Sequence, residues 1–255
     1  MPIGVISGRG YSEQDIFDAR LYPRMKEEPL LNADDCIVVP VRNENAPHFR
    51  RVGNPSFGKR LGPEENNPTH DDCVQFLFDE LTGADVENVK FSTYVFNDNG
   101  KFEEQVVFQP LPDSEYLWFM EDDCRTAFSD ETYIKPDISG RDSSKYFPRS
   151  VFPNIILEIV RTHIPDEKTF QKLVELSKCN HQVYFYFIAE GNDRSRINHF
   201  KYENRNFIIR ISHYLIGGKL FKNGEEVYSR KKGESFEKWY SYLKNSYFLK
   251  AKENA

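Results

Sequence analysis

Apolar residues recur at helical spacing in three parts of the chain. They predict helices from Thr69 to just before Gly83, from Pro165 to about Lys178, and from about Ser235 onward. The apolar positions of these helices are Val74, Leu77, Phe78, Leu81, Phe170, Leu173, Val174, Phe236, Trp239, Tyr240, Leu243 and Tyr247. Stripes with this spacing are typical of packing against a core, so we give them a structural role.

Shorter apolar runs, rich in β-branched and aromatic residues, predict strands. They lie at 35–41, 89–96, 102–109, 116–120, 133–138, 154–161, 183–189, 207–211 and 220–228. The last run contains Asn223-Gly224, which is typical of a hairpin turn. The run 154–161 is apolar on both faces, which indicates a strand at the centre of a sheet.

The order of these elements predicts an α/β fold. From residue 69 the order is helix, strand, strand pair, strand, helix, strand. We expect a small β-rich appendage over residues 1–60, a core over 61–190, and a C-terminal extension over 191–255 that holds a β-hairpin and a helix. A chain of 255 residues can bury such a core without disulfides or a structural metal.

Charge and cysteine content exclude several classes of protein. The net charge is −6, which disfavours binding of duplex nucleic acid through a broad basic surface. The four cysteines contain no Cys-x-x-Cys pair, which argues against a zinc ribbon. No signal peptide opens the chain and no apolar run approaches the length of a membrane helix. We therefore expect a cytoplasmic protein with reduced thiols and no membrane partner.

Two carboxylates occupy unusual positions in the predicted strands. Asp137 follows Pro136 near the end of one strand, and Glu158 lies in the middle of the central strand. A carboxylate buried in a strand is costly unless it is paired or binds a cation. Glu158 could pair with a buried arginine or face solvent at a sheet edge. The sharper hypothesis is that both acids converge on Mg²⁺, or Mn²⁺, which prefers oxygen ligands and activates water for attack on a phosphodiester.

The residues around these acids resemble a known superfamily. Lys135-Pro-Asp137-Ile, followed about twenty residues later by Leu157-Glu158-Ile-Val160, resembles the PD-(D/E)XK nucleases. The run Arg161-Thr-His163-Ile-Pro-Asp166-Glu-Lys168 and the segment Ala46-Pro-His48-Phe-Arg50 are similar to the CoiA-like, competence-associated branch. The resemblance covers about residues 30–190. It implies a restriction-endonuclease-like αβββαβ core with a mixed central sheet, and a magnesium-dependent nuclease acting on DNA or, as second choice, on RNA.

One position departs from the family pattern. The family places a lysine two residues after the glutamate, and here that position is Val160. Lys168 and Lys172 lie four residues apart on the next predicted helix, so they share a face and are candidates to replace it. Both could equally be solvated helix charges. Thr162 or His163 could orient the water instead.

Other candidate residues lie outside the acid pair. The first helix carries Glu80, a candidate third metal ligand, and His70, because the first helix of such nucleases can donate a group to the metal. Nucleic-acid contacts are predicted for five cations, three of which are interleaved with Tyr146 and Phe147. These cations are Arg141, Lys145, Arg149, Arg194 and Arg196. An ordinary polar surface is the competing interpretation.

The missing lysine and the acidic composition favour a second hypothesis. A nuclease fold without chemistry could serve as a binding module or inhibitor that engages a protein or nucleic acid. A third interpretation is a structural protein in which Glu158 is merely salt-bridged. A homodimer would suit cleavage of two strands, but no part of the sequence marks an interface.

Overall fold

The chain forms two compact units, Met1–Lys59 and Arg60–Ala255. The computed structural model describes residues 1–33, 36–52, 59–63, 67–83, 88–130, 132–189 and 191–255. None of the helices in these ranges combines the length and hydropathy that crossing a membrane requires. The four cysteines in these ranges form no disulfide.

The first unit is a small antiparallel sheet with helical turns. Its elements are β1 (Ile3–Gly4), a 3₁₀ turn (Gln14–Phe17), α1 (Leu21–Glu27), β2 (Leu30–Leu31), β3 (Ile37–Val41) and β4 (His48–Arg51). The strands pair in the order β1-β2-β3-β4 around a core that includes Tyr11, Ile16 and Met25. The strand predicted at 35–41 is confirmed. Helix α1 was not predicted, because Met25 is the single buried residue of its seven and so leaves no apolar stripe.

The second unit contains most of the regular structure. Its elements follow a boundary strand, β5 (Lys59–Arg60). They are α2 (Pro68–Thr82), β6 (Asn88–Phe96), β7 (Phe102–Phe108), β8 (Tyr116–Met120), β9 (Thr126–Ala127), β10 (Thr132–Ile134), β11 (Ile138–Asp142), β12 (Asn154–Val160), α3 (Glu167–Ser177), β13 (His181–Phe187), β14 (His199–Glu203), β15 (Asn206–Arg210), β16 (His213–Ile216), β17 (Lys219–Lys222), β18 (Glu225–Glu226), α4 (Phe236–Leu243) and α5 (Leu249–Glu253). The fold is therefore of the mixed α/β class.

A seven-stranded mixed sheet organises this unit. Its strand order is β18-β17-β16-β13-β12-β11-β8. The pair β12–β13 is parallel, with α3 as the connection, and the other pairs are antiparallel. Strand β12 lies inside the sheet between β11 and β13, as its apolar sequence predicts.

A second sheet has the order β14-β15-β6-β7, and β6 pairs with β15 in parallel. The strands after residue 191 thus complete both sheets, since β16 also pairs with β13. The predicted turn at Asn223-Gly224 joins β17 to β18, and both residues have positive φ angles, as a two-residue hairpin turn requires.

Several element boundaries differ from the sequence prediction. The run 133–138 is not one strand: β10 ends at Ile134 and β11 begins at Ile138. Pro136 lies between them and has no N–H for a ladder hydrogen bond. The helix predicted from Pro165 begins at Glu167, with Asp166 as its N-cap.

The first core helix is capped by Asn67. The Asn67 side chain accepts hydrogen bonds from the backbone N–H groups of Thr69 and His70. Pro68 takes the first helical position, where a missing N–H costs nothing. The helix therefore begins one residue earlier than predicted and ends at Thr82, before Gly83.

The two faces of β12 contribute to different cores. Leu157 and Ile159 pack in the cluster that includes α2, whereas Ile156 and Val160 pack with α3 and α4. Because side chains alternate along a strand, Glu158 shares the face of Ile156 and Val160.

Candidate metal-binding cleft

The register of β11 on β12 places Asp137 and Glu158 opposite each other. Ile138 pairs with Leu157 in the antiparallel ladder. Continuing that register by one residue sets Asp137 against Glu158, and directly opposed residues of an antiparallel pair share a face. The two acids therefore lie on one side of the sheet, where the sequence hypothesis requires them.

Asp137 is held in place from two directions. Its Oδ2 accepts a hydrogen bond of 2.8 Å from the backbone N–H of Ile159. The same oxygen lies 3.4 Å from Nε2 of His70, whose Nδ1 lies 3.0 Å from Asp71. His70 is buried in the first turn of α2, so the start of this helix fixes the acid at the end of the sheet.

Glu158 lies in an unfavourable environment for a carboxylate. Burial raises its pKa well above 4.5, and the neighbouring charge of Asp137 raises that pKa further. The charges of His70 and Arg60 oppose this rise in pKa only in part.

A cleft of about 590 Å³, including its open mouth, surrounds the acid pair. Its polar side chains come from Arg60, His70, Lys135, Asp137, Glu158, His163 and Thr169. His70 lies in the first turn of α2 and Thr169 in the first turn of α3. Helix N-termini favour negative charge, so both helices favour anions in this cleft.

The two lysines proposed to replace the family lysine do not line the cleft. Lys168 is exposed. Lys172 forms ion pairs with Asp130 at 2.8 Å and Glu175 at 3.4 Å. These acids, Asp130 first, raise the pKa of Lys172. Val160 is buried in the apolar core, so the family position itself offers no cation.

The remaining candidates near the acids separate into two groups. His163 lines the cleft, whereas Thr162 is exposed and accepts a hydrogen bond from Arg161. Burial and the neighbouring Glu80 raise the pKa of Tyr202 in β14, and Glu80 does not line the cleft. Glu80 and the acid pair therefore are not brought together, because Glu80 lies near the C-terminal end of α2 and the cleft is at the N-terminal end.

The five predicted nucleic-acid cations lie away from the cleft lining. Arg141 and Lys145 line a separate groove beyond the far end of β11, and Arg149 is exposed in the same segment. Lys145 is paired with Asp113 at 2.8 Å. Arg194 lies over the ring of Phe200 at 3.9 Å, and both Arg194 and Arg196 are exposed.

Two cationic residues of the cleft received no role from the sequence. Lys135 lines the cleft, although the sequence offered it only as part of the Lys135-Pro-Asp137 motif. Arg60 also lines it, and no sequence signal pointed there because it lies more than seventy residues from Asp137. The position of Lys135 two residues before Asp137 was the signal that could have identified it.

The residues of the cleft fit magnesium better than zinc. Within the described ranges, no group of three His, Cys, Asp or Glu side chains is placed to hold a metal ion. A zinc site would need three or four such protein ligands. Magnesium commonly binds through one or two carboxylates and completes its shell with water and phosphate oxygens. Two facing carboxylates with mutually unfavourable charges suit that mode of binding.

Comparisons with protein-family models, with curated proteins and with solved structures give no match to this chain. The resemblance to PD-(D/E)XK nucleases therefore depends on the sequence motifs alone. Any functional hypothesis has to be argued from the geometry of the cleft.

Proposed function

We propose that this chain is a magnesium-dependent phosphodiesterase that hydrolyses nucleic acid, with DNA as the first candidate substrate and RNA as the second. The observation that carries the proposal is the pair Asp137 and Glu158, opposed across adjacent strands in a cleft that also contains Lys135. Manganese is the alternative ion, since it accepts the same oxygen ligands.

The arrangement of elements supports a restriction-endonuclease-like core. Helix α2 is followed by the antiparallel strands β8, β11 and β12, then by α3 and the parallel strand β13. This order agrees with the αβββαβ order expected for that core if the β6–β7 hairpin after α2 and the short strands β9 and β10 between β8 and β11 are insertions.

The acid pair holds the ion in this proposal. When bound, magnesium supplies an activated water and neutralises charge on the scissile phosphate. Ile159 and His70 keep Asp137 oriented, so little reorganisation is needed when the ion arrives. The ion also offsets the repulsion that raises the pKa of Glu158.

Lys135 supplies the cation that Val160 lacks. Its side chain lines the same cleft, where an ammonium group stabilises developing negative charge on a phosphate. His163 and Thr169 also line this cleft, so they are the candidates to contact the substrate or its water in this proposal.

Cleavage assays with matched variants test the proposal. Purified protein is incubated with plasmid, linear duplex, single-stranded DNA and RNA, with Mg²⁺ or Mn²⁺. We expect cleavage that falls about 100-fold or more in Asp137→Asn and Glu158→Gln. The control is Glu225→Gln, which removes an exposed acid from β18. Cleavage that survives both cleft substitutions, or no cleavage of any substrate, contradicts the proposal.

A catalytically inactive binding module is the second candidate. The observation that favours it is the buried valine at the family lysine position. Calorimetric titration with Mg²⁺ or Mn²⁺ separates the two candidates. Specific uptake that disappears in Glu158→Gln supports the enzyme, whereas the absence of uptake together with nucleic-acid or protein binding supports the module.

A further inference from the structure

A second group of side chains lies on the same sheet face as the acid pair. Residues 137, 139 and 141 alternate with the buried Ile138 and with Gly140, so Asp137, Ser139 and Arg141 share one face. Four residues of strand span about 14 Å. Arg141 is therefore about 14 Å along β11 from the start of the metal-binding cleft.

Ser139 and Arg141 line a cleft of their own. It measures about 610 Å³ with its open mouth and is lined by Phe119, Cys124, Arg125, Ser139, Arg141 and Asn154, among others. We call it the arginine cleft. Arg141 and Asn154 also line the groove that continues toward the exposed ring of Tyr146, so the two depressions meet at these residues.

Both arginines of this cleft rest on aromatic rings. The Arg141 guanidinium lies 4.8 Å from the ring centre of Phe119, and that of Arg125 lies 4.7 Å from that of Tyr133. Stacking fixes a planar guanidinium and leaves its N–H edge directed at other partners, which is the geometry that suits a phosphate group. In the described part of the chain no carboxylate forms an ion pair with Arg141, in contrast to Lys145, which Asp113 neutralises.

Two further titratable groups that line the arginine cleft are His181 and Asp123. His181 lies 3.1 Å through Nδ1 from the carbonyl oxygen of Cys179, and its Nε2 lies 3.2 Å from the Asn154 amide. Burial lowers the pKa of His181, which keeps it neutral. Asp123 is the one acid that lines this cleft among the described side chains, and it is exposed.

The arginine cleft is close enough to the acid pair for the charges of the two acids to act on one of its lining residues. Cys124 lines this cleft and interacts with Ser139. Burial raises the pKa of the Cys124 thiol to about 11, and the charges of Glu158 and Asp137 contribute to the raised pKa. One extended ligand can therefore occupy both clefts along this face of the sheet.

We propose that the arginine cleft binds a backbone phosphate of the same nucleic-acid strand whose scissile phosphate lies at Asp137 and Glu158. This inference rests on the proposed function for the position of the scissile phosphate. It names the substrate as a strand several nucleotides long, because a strand stacked as in a duplex advances about 3.4 Å per nucleotide along its axis and the clefts lie about 14 Å apart. A mononucleotide or dinucleotide cannot span them.

Binding measurements on the full chain test this without requiring cleavage. Glu158→Gln protein is titrated onto fluorescent single-stranded octanucleotides in the absence of divalent ion, alone and combined with Arg141→Gln or Arg141→Lys. We expect Arg141→Gln to weaken binding about 5- to 10-fold. It should also reduce the slope of the logarithm of the binding constant against the logarithm of salt concentration by about 0.7, which is the contribution of one phosphate contact on a single strand. Arg141→Lys should lose less affinity than Arg141→Gln, because lysine keeps the positive charge.

The matched control is Arg24→Gln, which removes an exposed arginine of α1 that does not line the arginine cleft. Equal weakening by both substitutions, or none by Arg141→Gln, overturns the assignment. A third outcome also overturns the assignment: binding of inorganic phosphate depends on Arg141, but binding of the octanucleotide does not. The ligand of the arginine cleft is then free phosphate and not a nucleic-acid strand.

Cleavage kinetics separate this inference from the proposed function. If octanucleotides are cleaved, Arg141→Gln should raise KM for them and leave kcat within about twofold. If the wild-type chain cleaves nothing but octanucleotide binding still depends on Arg141, the proposed hydrolysis fails and the phosphate site stands. If octanucleotides are cleaved with the same KM in the wild type and in Arg141→Gln, the phosphate site is wrong and the proposed hydrolysis stands.

Discussion

Glu158 shows how one residue can carry the main functional argument for a chain. A carboxylate between Leu157 and Ile159 in the middle of a sheet loses hydration, and the facing Asp137 adds repulsion. Both effects raise its pKa, burial more than the neighbouring charge. A position with that cost is expected where the carboxylate binds something, since perturbed pKa values concentrate at functional sites.

The raised pKa of Glu158 makes stability depend on pH. Because the folded protein holds this proton more tightly than the unfolded chain does, the stability contributed by Glu158 is fully present below about pH 4.5 and is lost as pH rises through the raised pKa. Glu158→Gln should therefore be more stable than the wild type at about pH 8, by on the order of 1 kcal/mol, and the advantage should vanish near pH 4.

Urea unfolding at several pH values measures this difference. Glu225→Gln serves as the control, because that acid is exposed, and its curve should run parallel to the wild type. A wild-type protein that gains stability over Glu158→Gln as the pH rises would show that Glu158 is stabilised by a partner instead.

The choice of cation is a second question at the residue scale. Lys135 lines the cleft, whereas Lys172 is ion-paired with Asp130 and Glu175 and does not. We expect Lys135→Gln to lower kcat at least tenfold, because it removes positive charge beside the phosphate. Lys172→Gln should leave kcat within about twofold. The reverse pattern in steady-state assays would show that Lys172 of α3, a candidate from the sequence, supplies the cation.

At the scale of elements, the start of α2 sets the geometry of the cleft. Asn67 caps this helix, and the capped first turn presents His70 to Asp137. Strands β11 and β12 then fix the two acids by register alone. The site is therefore assembled where the beginning of a helix meets the end of a strand ladder, as both kinds of terminus leave polar groups available.

Removing the cap should loosen this helix end. Asn67→Ala leaves two backbone N–H groups without their acceptor and should reduce the free energy of unfolding by about 1 kcal/mol. Asn67→Asp keeps an acceptor oxygen and should restore most of the loss. Thermal unfolding of the three proteins checks this, and equal melting temperatures for Ala and Asp would show that the cap contributes nothing.

At the scale of the whole molecule, the second unit holds the cleft at one end of its seven-stranded sheet. Helix α2 approaches Asp137 from one core and α3 packs on the other, and strands that follow residue 198 complete the two sheets. Binding of an ion to the acid pair should therefore stabilise the entire unit, because ligands that bind only the folded state shift its unfolding.

Magnesium should raise the melting temperature of the wild-type protein. At an ion concentration ten times the dissociation constant, the added stability is about 1.4 kcal/mol. The rise should disappear in Glu158→Gln and Asp137→Asn and persist in Glu225→Gln. A thermal shift with added MgCl₂ that is the same in all four proteins would indicate a general salt effect, which contradicts a specific site.

Local sequence patterns determined the elements that could form without knowledge of the rest. The stripe of α2, the run of β12 and the Asn223-Gly224 turn were all correctly predicted, since periodicity and turn chemistry act over a few residues. The predicted single strand at 133–138 was wrong because one proline divides it into β10 and β11.

The sequence by itself determined that Asp137 and Glu158 occupy unusual positions, because a carboxylate within an apolar run can be recognised without knowledge of the fold. Only the tertiary structure decided which groups surround them. Strand register set the acids face to face, and chain segments distant in sequence brought Arg60 and His70 into the cleft and held Lys172 and Glu80 outside it. Such contacts depend on packing between remote segments, which no local pattern encodes.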